Sequence, residues 1–312
     1  MMRRISNLVA RGPSVGRWSL RSAAILAALC MAGEAVFADE APQPAENVFR
    51  VAELFDFSRS AHSIAVCPST GRLLVAYSAA ALSEWDLAAR KIVKSYALLA
   101  DHRCGSMTLS PDGHTVVVGC YGLPGGCHVF VVDTAQGETL RDIELPSPIR
   151  DGTLRFNRAG TRFRVEIWDE FYKVFGTDGT EIDNFDRAEF SYSTTPRLWE
   201  KQVFKIGWGR GLYLKDDGGR THRLTTDNYS GSFGYFAASK DVKYVAALAE
   251  GEIVAWRASD GGEVFRQRVA KATEGGCITF DPTQNRFLFA VNEKEIAHLR
   301  ALVIEPGQVS DK

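Results

Sequence analysis

The stretch MTLSPDGHTVVVGCYGLPGGCHVFVVDTAQGETL, residues 107–140, decides the fold class. A short apolar run ends at SPDG, whose proline, aspartate and glycine favour a tight turn. The run TVVVGC follows, and a Gly/Pro loop separates it from a third run, HVFVVD. This third run meets the turn signal TAQG and the chain then resumes as a strand. The spacing predicts four antiparallel strands joined by short connections.

The same four-strand pattern recurs along the chain. Aligning the turns after each first strand gives intervals of 43, 47, 38, 44 and 42 residues. A four-stranded unit repeated every forty-odd residues is typical of a β-propeller blade. We therefore predict an all-β chain that forms a single β-propeller with six four-stranded blades, or alternatively seven. The aligned turn residues are Cys67, Ser110, Asn157, Thr195, Ser239 and Asp281.

Three local motifs resemble those of the WD40 and YVTN-type propeller repeats. Trp85-Asp86 ends a third strand, SPDG follows a first strand, and VVDTAQGETL joins a third strand to a fourth. The resemblance is one of pattern, and it spans nearly the whole chain after residue 47. It implies a propeller that serves as a binding platform.

The two ends of the repeat array complement each other. The last unit has three strands, in ITF, RFLFAV and IAHLRALVI, while NVFRVAELFDF (47–57) is a lone strand before the first full unit. We predict that the N-terminal strand completes the last blade and closes the ring. Closure would remove the open sheet edges that otherwise invite aggregation.

The N-terminal segment is predicted to lie outside the fold. A leader with five arginines precedes the apolar run AAILAALCMAG and the small residues of AVFA. This is the layout of a signal peptide over residues 1–38, followed by a polar linker (39–47), the propeller (48–306) and a C-terminal tail (307–312). The prediction is export to the periplasm or the extracellular space, with a retained membrane anchor as the alternative.

Charge excludes two classes of partner. The chain has 37 basic and 38 acidic residues, and 32 and 37 remain once residues 1–38 are set aside. No cluster of Lys and Arg stands out in that remainder, so the electrostatic footprint of a nucleic-acid-binding protein is missing. No nucleic-acid partner and no membrane insertion after signal cleavage are expected. The predicted partner is another protein or a small ligand.

Three cysteines are expected in one row at the rim of the second blade. Pairing Leu109 with Thr115 and counting outward sets Cys104 opposite Cys120, and the next hairpin sets Cys120 opposite Cys127. Directly opposed strand residues lie near disulfide distance, and export implies an oxidising compartment. We predict a Cys120–Cys127 disulfide, with Cys104 competing for Cys120. The alternatives are free thiols, or a zinc site from the three thiolates with His102 or His128.

Known catalytic and cofactor motifs are missing from the sequence. It contains no HExxH, GxSxG, P-loop, CxxCH or EF-hand pattern, and GWGRG (207–211) is predicted to be a hairpin loop. No catalytic residue, metal or cofactor is assigned. The function predicted is non-catalytic binding, and the alternative is a hydrolase of the lactonase type, which would share only the fold.

A binding surface is predicted where propellers generally bind, on the face formed by the loops before each first strand and between the second and third strands. Mixtures of Trp, Tyr, Arg and acidic residues are common in interaction surfaces. The candidate residues are His62, His102, Arg103, Arg150, Trp168, Asp169, Glu170, Trp208, Arg210, Tyr229 and Glu274.

Overall fold

The computed structural model describes residues 47–77, 81–98, 102–122, 126–149, 154–167, 172–183, 203–205, 212–215, 220–224, 235–249, 251–269 and 276–306. These ranges form 22 β-strands in six antiparallel sheets. They contain no α-helix, and therefore none that could span a membrane. The all-β prediction is confirmed.

The strands of each sheet follow one another in the chain, except for β1, which joins the last sheet. Sheet 1 contains β2 (Ala61–Val66), β3 (Leu73–Tyr77), β4 (Ala81–Asp86) and β5 (Lys91–Ala97). Sheet 2 contains β6 (His102–Leu109), β7 (Thr115–Gly122), β8 (Cys127–Asp133) and β9 (Thr139–Leu145). Sheet 3 contains β10 (Arg155–Phe156), β11 (Arg162–Val165) and β12 (Lys173–Gly176), and sheet 4 contains β13 (Val203–Lys205), β14 (Leu212–Lys215) and β15 (Thr221–Arg223).

Sheet 5 contains β16 (Tyr235–Ala238), β17 (Tyr244–Ala249), β18 (Glu252–Arg257) and β19 (Glu263–Arg268). Sheet 6 contains β20 (Gly276–Asp281), β21 (Arg286–Glu293), β22 (Ile296–Glu305) and β1 (Val48–Phe57). Four sheets thus have the predicted four strands. Sheets 3 and 4 have three strands among the described residues, and an isolated bridge between Phe175 and Glu181 adds a further pairing beside β12.

The predicted turn residues carry the same hydrogen-bonding role in successive sheets. Ser110 Oγ donates to Asp112 Oδ1 (2.5 Å) and accepts from Thr115 N (2.9 Å). Ser239 repeats this arrangement in sheet 5 through Asp241 (2.8 Å) and the amide of residue 244 (3.0 Å). Asn157 and Asp281 occupy the equivalent positions with a carboxamide and a carboxylate, and Cys67 occupies it in sheet 1. Thr195 lies outside the described residues.

The hydrophobic core is divided into layers between neighbouring sheets. Five buried clusters are present in the described ranges, and each contains residues of two sheets: 4 with 5, 5 with 6, 6 with 1, 1 with 2, and 2 with 3. Strands in such layers are buried on both faces, which explains continuous apolar runs such as LLVAY in β3, where every residue is buried. Each sheet is therefore stabilised by the neighbours with which it shares a buried layer.

The turns after the first strands interlock at one end of the sheets. A Cβ added to Gly113 would lie 3.0 Å from Cys67 Sγ, and one added to Gly160 would lie 3.1 Å from Pro111 Cδ. Gly71 approaches Thr283 of sheet 6 in the same way (3.3 Å). We call this end of the sheets the bottom. The opposite end, where β2, β6 and β20 begin, is the top.

The N-terminal strand β1 pairs with β22 over its whole length, from Val48 opposite Glu305 to Phe57 opposite Ala297. Ion pairs line this seam, including Arg50–Glu305 (2.5 Å) and Glu53–Arg300 (3.3 Å). Sheet 6 is in turn bound to sheet 1 by the buried Asn292. Its carboxamide accepts from the amide of Ala61 and donates to the carbonyl of Ala61, both at 2.9 Å.

Candidate functional site

Few of the predicted top-face residues lie in the described ranges. His62 and Arg103 are each the second residue of a first strand, half-buried and exposed respectively, and His102 begins β6. All three therefore lie at the top ends of sheets 1 and 2. The other predicted residues lie outside the described ranges, and their role stays a prediction: Arg150, Trp168, Asp169, Glu170, Trp208, Arg210, Tyr229 and Glu274.

Cys104 lies directly opposite Cys120, as the sequence predicts. The predicted pairing is correct although the register differs from the prediction at two points, because the two differences cancel. Leu109 pairs with Val116 rather than Thr115, which shifts the register by one residue at the turn. A β-bulge between Cys104 and Ser106 then shifts it back. The bulge also turns Cys104 toward sheet 1, where it joins Met107 in the cluster between sheets 1 and 2.

The prediction that Cys120 faces Cys127 is wrong by one residue. Cys120 pairs with His128, and Cys127 pairs with Tyr121. Because successive strand residues point to opposite faces, this slip moves Cys127 to the other side of the sheet. Cys127 is buried in the cluster between sheets 2 and 3, whereas Cys104 and Cys120 belong to the cluster between sheets 1 and 2. A three-thiolate zinc site would need all three on one face.

The Cys104 and Cys120 thiols form a buried pair. Their Sγ atoms are 3.3 Å apart, and both residues are 0% exposed. The hydrogen bond with Cys104 and the burial of the site raise the pKa of the Cys120 thiol, which favours its protonated form. Within the described residues, no group of three or more His, Cys, Asp or Glu side chains is arranged to hold a metal ion.

His128 and Asp142 continue the row beyond Cys120. The imidazole Nδ1 lies 2.7 Å from Asp142 Oδ1, and the His128 ring stacks on Phe130 with the ring centroids 5.9 Å apart. Asp142 holds the imidazole in place on the outer part of sheet 2, and the side chain of Asp142 is itself 42% exposed. This pair orders the two outer strands of the sheet.

A cavity of about 180 Å³ lies between sheets 1 and 2 near the bottom end. Its polar centre is Glu84, which is 6% exposed. Glu84 accepts hydrogen bonds from Arg72 Nη1 and from the Tyr96 hydroxyl, both at 3.1 Å. Burial and the neighbouring Glu84 charge raise the pKa of Tyr96, so the phenol remains a donor.

The other polar groups of the cavity are bound to the neighbouring sheet. Lys94 Nζ donates to the carbonyl oxygens of Thr134 (3.2 Å) and Ala135 (2.6 Å) in sheet 2. Cys67 Sγ contacts Ser69 Oγ (3.2 Å) and the Gly113 carbonyl oxygen (3.6 Å). The two Lys94 bonds and the Cys67–Gly113 contact cross between the two sheets, whereas the Cys67–Ser69 contact lies within the turn of sheet 1. The arrangement is therefore one that joins sheets.

Sequence reasoning did not identify the residues around this cavity. One signal was present, because Glu84 is a charged residue inside the third strand of sheet 1, between Ser83 and Trp85. A buried acid requires a partner. Its partners come from β5 and from the start of β3, and the sequence does not show that these side chains converge.

Comparisons with known proteins bear on the fold. No protein-family model matches the sequence, and no sequence relative was found among curated proteins. The structure is similar to the crystal structure of the β-propeller domain of Cps50 (Swd1) from Myceliophteria thermophila, with a TM-score of 0.55 and 13% sequence identity. The similarity covers 80% of this chain and 99% of that domain. Together with the repeated antiparallel sheets and the layered core, it shows that the chain has a β-propeller fold.

Proposed function

We propose that this chain is an exported, non-catalytic β-propeller that binds a protein or a small ligand through the loops at its top end. The fold supports an interaction platform, since a propeller presents many loops on a rigid scaffold. The polar clusters described above bind one sheet to the next or order strands within a sheet. The WD40-like and YVTN-like motifs favour the same role.

The difference between the two ends of the sheets carries the proposal. At the bottom, the turns between first and second strands contain four to six residues in sheets 1, 2, 3, 5 and 6. Their polar side chains bond within the turn, as Ser110 and Ser239 do, and neighbouring turns contact one another. These groups are committed to the scaffold.

The stretches of sequence between successive sheets meet the top end and vary in length. Nine residues separate β9 from β10, eleven separate β15 from β16 and seven separate β19 from β20, whereas four separate β5 from β6. In the described part, Arg103 of sheet 2 and Glu295 of sheet 6 are exposed at this end, and Ile296, which follows Glu295 in the β21–β22 hairpin, is 45% exposed. Arginine, acidic and apolar side chains together suit a surface that binds a partner.

We further infer that the six sheets form a closed ring in which β1 completes the sixth blade. The pairing of β1 with β22 and the layered contacts in the order 4–5–6–1–2–3 support this arrangement. Removal of residues 48–57 would leave the edge of β22 open, and we expect the shortened chain to aggregate. A shortened chain that stays monomeric and as stable as the full chain would contradict closure.

The binding proposal is tested with charge-exchanged variants at each end. The top variant carries Arg103→Glu and Glu295→Lys, and the bottom control carries Lys240→Glu and Glu138→Lys. All four side chains are exposed and each variant keeps the net charge. Partners cross-linked to the purified full chain in medium from the exporting host are identified by mass spectrometry. We expect the top variant to weaken binding of the identified partner at least about tenfold, and the bottom variant to bind like the wild type.

Two outcomes would overturn parts of this proposal. Equal binding by both variants, or loss in the bottom variant alone, would remove the top end as the binding surface. Turnover in a screen of lactones and esters by the purified chain would favour the hydrolase alternative. Export is tested separately by N-terminal sequencing of the protein from the periplasm or medium, where we expect a chain that begins at Asp39.

A further inference from the structure

The two cysteines of β6 and β7 combine three features that favour a bond between them. They are direct cross-strand partners, their sulfurs are 3.3 Å apart, and neither residue is exposed. A disulfide requires a sulfur separation near 2.05 Å and Cβ atoms about 3.5–4.5 Å apart. Small side-chain rotations suffice to close the remaining gap, because opposed strand residues already place their Cβ atoms close together.

We propose that Cys104 and Cys120 form a disulfide bond that links the first two strands of sheet 2 beside sheet 1. The bulge at Gly105 is the feature that makes this geometry possible, since it rotates Cys104 onto the face that Cys120 occupies. The bond closes a loop of sixteen residues around the SPDG turn. It would hold the bulged strand, whose pairing is locally interrupted, against its neighbour.

The other described cysteines are placed where they cannot replace either partner. Cys127 lies on the opposite face of sheet 2. Cys277 lies between sheets 6 and 1. Cys67 lies in the bottom turn of sheet 1, where its sulfur contacts Ser69 and Gly113. One disulfide and three reduced thiols are therefore expected in the described part of the chain.

Bond formation is a two-electron oxidation that needs an external disulfide. The sulfur of Cys104 or Cys120 attacks oxidised glutathione, breaks its S–S bond and releases one reduced glutathione. The other cysteine sulfur then attacks the mixed disulfide and displaces the second glutathione. Two S–H bonds break, one S–S bond forms, and two molecules of reduced glutathione carry away the electrons and protons. Because both thiols are fully buried, the reaction is expected during folding rather than in the folded chain.

Peptide mapping identifies the bond directly. Trypsin leaves all three sheet 2 cysteines on one fragment, residues 104–141, so an enzyme that cuts before Asp112 and chymotrypsin, which cuts after Tyr121, are added. The full chain is refolded with oxidised and reduced glutathione, alkylated without reduction, and then digested. We expect a link between the fragments that contain Cys104 and Cys120, and alkylated Cys127. Alkylated Cys104 and Cys120, or a Cys120–Cys127 link, would overturn the proposal.

Thermal unfolding gives an independent measurement. A disulfide around a loop of about 15 residues should raise the midpoint by about 5–10 °C in a chain of this size. The wild type and Cys127→Ala should both lose this increment on reduction, and Cys104→Ala should show no redox dependence. An equal midpoint for oxidised and reduced wild type would count against the bond. Mapping uses glutathione and the wild-type chain, so neither export nor the proposed binding function affects its outcome.

Discussion

The contact between Asn292 and Ala61 offers a sharp test of how sheet 6 is bound to sheet 1. Ala61 begins β2 and is 0% exposed. Its amide and carbonyl both bond to the Asn292 carboxamide at 2.9 Å. Replacement of Asn292 by alanine would leave one buried donor and one buried acceptor without this partner. At about 1–3 kcal/mol for each unsatisfied group, the free energy of unfolding should fall by about 2–6 kcal/mol.

This loss is a large part of the stability of a typical domain. The assay is urea unfolding followed by tryptophan fluorescence, with thermal unfolding as a second measurement. Glu295→Ala serves as the control, because Glu295 is exposed in the turn of the same hairpin and its removal should cost less than about 0.5 kcal/mol.

Asn292→Leu separates hydrogen bonding from packing. Leucine keeps the branched arrangement of four side-chain heavy atoms but cannot bond to the backbone of Ala61, so it should destabilise the chain about as much as alanine does. A stable Asn292→Leu variant would show that volume is the deciding factor. A loss below about 1 kcal/mol in Asn292→Ala would refute the hydrogen-bonding argument altogether.

Three further predictions concern turns and titration. Gly113→Ala should lower the free energy of unfolding by about 2–3 kcal/mol in urea, because its φ is +78° and the new Cβ would lie 3.0 Å from Cys67 Sγ. Gly126→Ala should cost about 1 kcal/mol, because its φ is +74° but the nearest contact of the new Cβ, with Glu144 Oε1, is 3.6 Å. Equal costs would contradict the predicted clash at Gly113. The Ser110 hydroxyl lowers the pKa of Asp112, so this group's stabilisation is present above the unfolded pKa near 3.9 and is lost as pH falls through the folded pKa. Asp112→Asn should therefore lose less stability than the wild type between about pH 5 and pH 2, and an unchanged pH dependence would count against it. Burial raises the pKa of the Cys277 thiol to about 12, so this thiol ionises in the unfolded chain before it does so in the folded chain. The free energy of unfolding should therefore fall as pH rises from about 9 to 12, and Cys277→Ala should show a smaller decline across that range.

Much of the architecture could be predicted from local sequence signals. Turn chemistry depends on a few adjacent residues, so SPDG and its equivalents could be located without knowledge of any contact. All the predicted turn positions in the described ranges, such as Ser110 and Ser239, follow or end a first strand. The N-terminal strand could be assigned to the last sheet because both ends of the repeat were incomplete.

Strand register was harder to predict. The pairing of Cys104 with Cys120 depends on a bulge at Gly105, and no local pattern indicates that bulge. The sequence-based pairing of Cys127 with Cys120 makes the hairpin loop one residue too short. Because strand side chains alternate between faces, an error of one residue moves a side chain to the other face of the sheet. The observed register therefore makes Cys104, and not Cys127, the cysteine that faces Cys120.

Local sequence signals predict the strand content, the turns, the repeat and the strand that completes the last sheet, because these depend on residues close together in the chain. Which polar groups meet depends on the tertiary structure. Glu84 with Tyr96 and Arg72, Lys94 with Thr134, and Asn292 with Ala61 join side chains or backbone groups from different strands or sheets. The same applies to the Cys104–Cys120 pair. Whether two groups touch across a sheet or between sheets depends on register and on packing between layers, and neither is a local property of the chain.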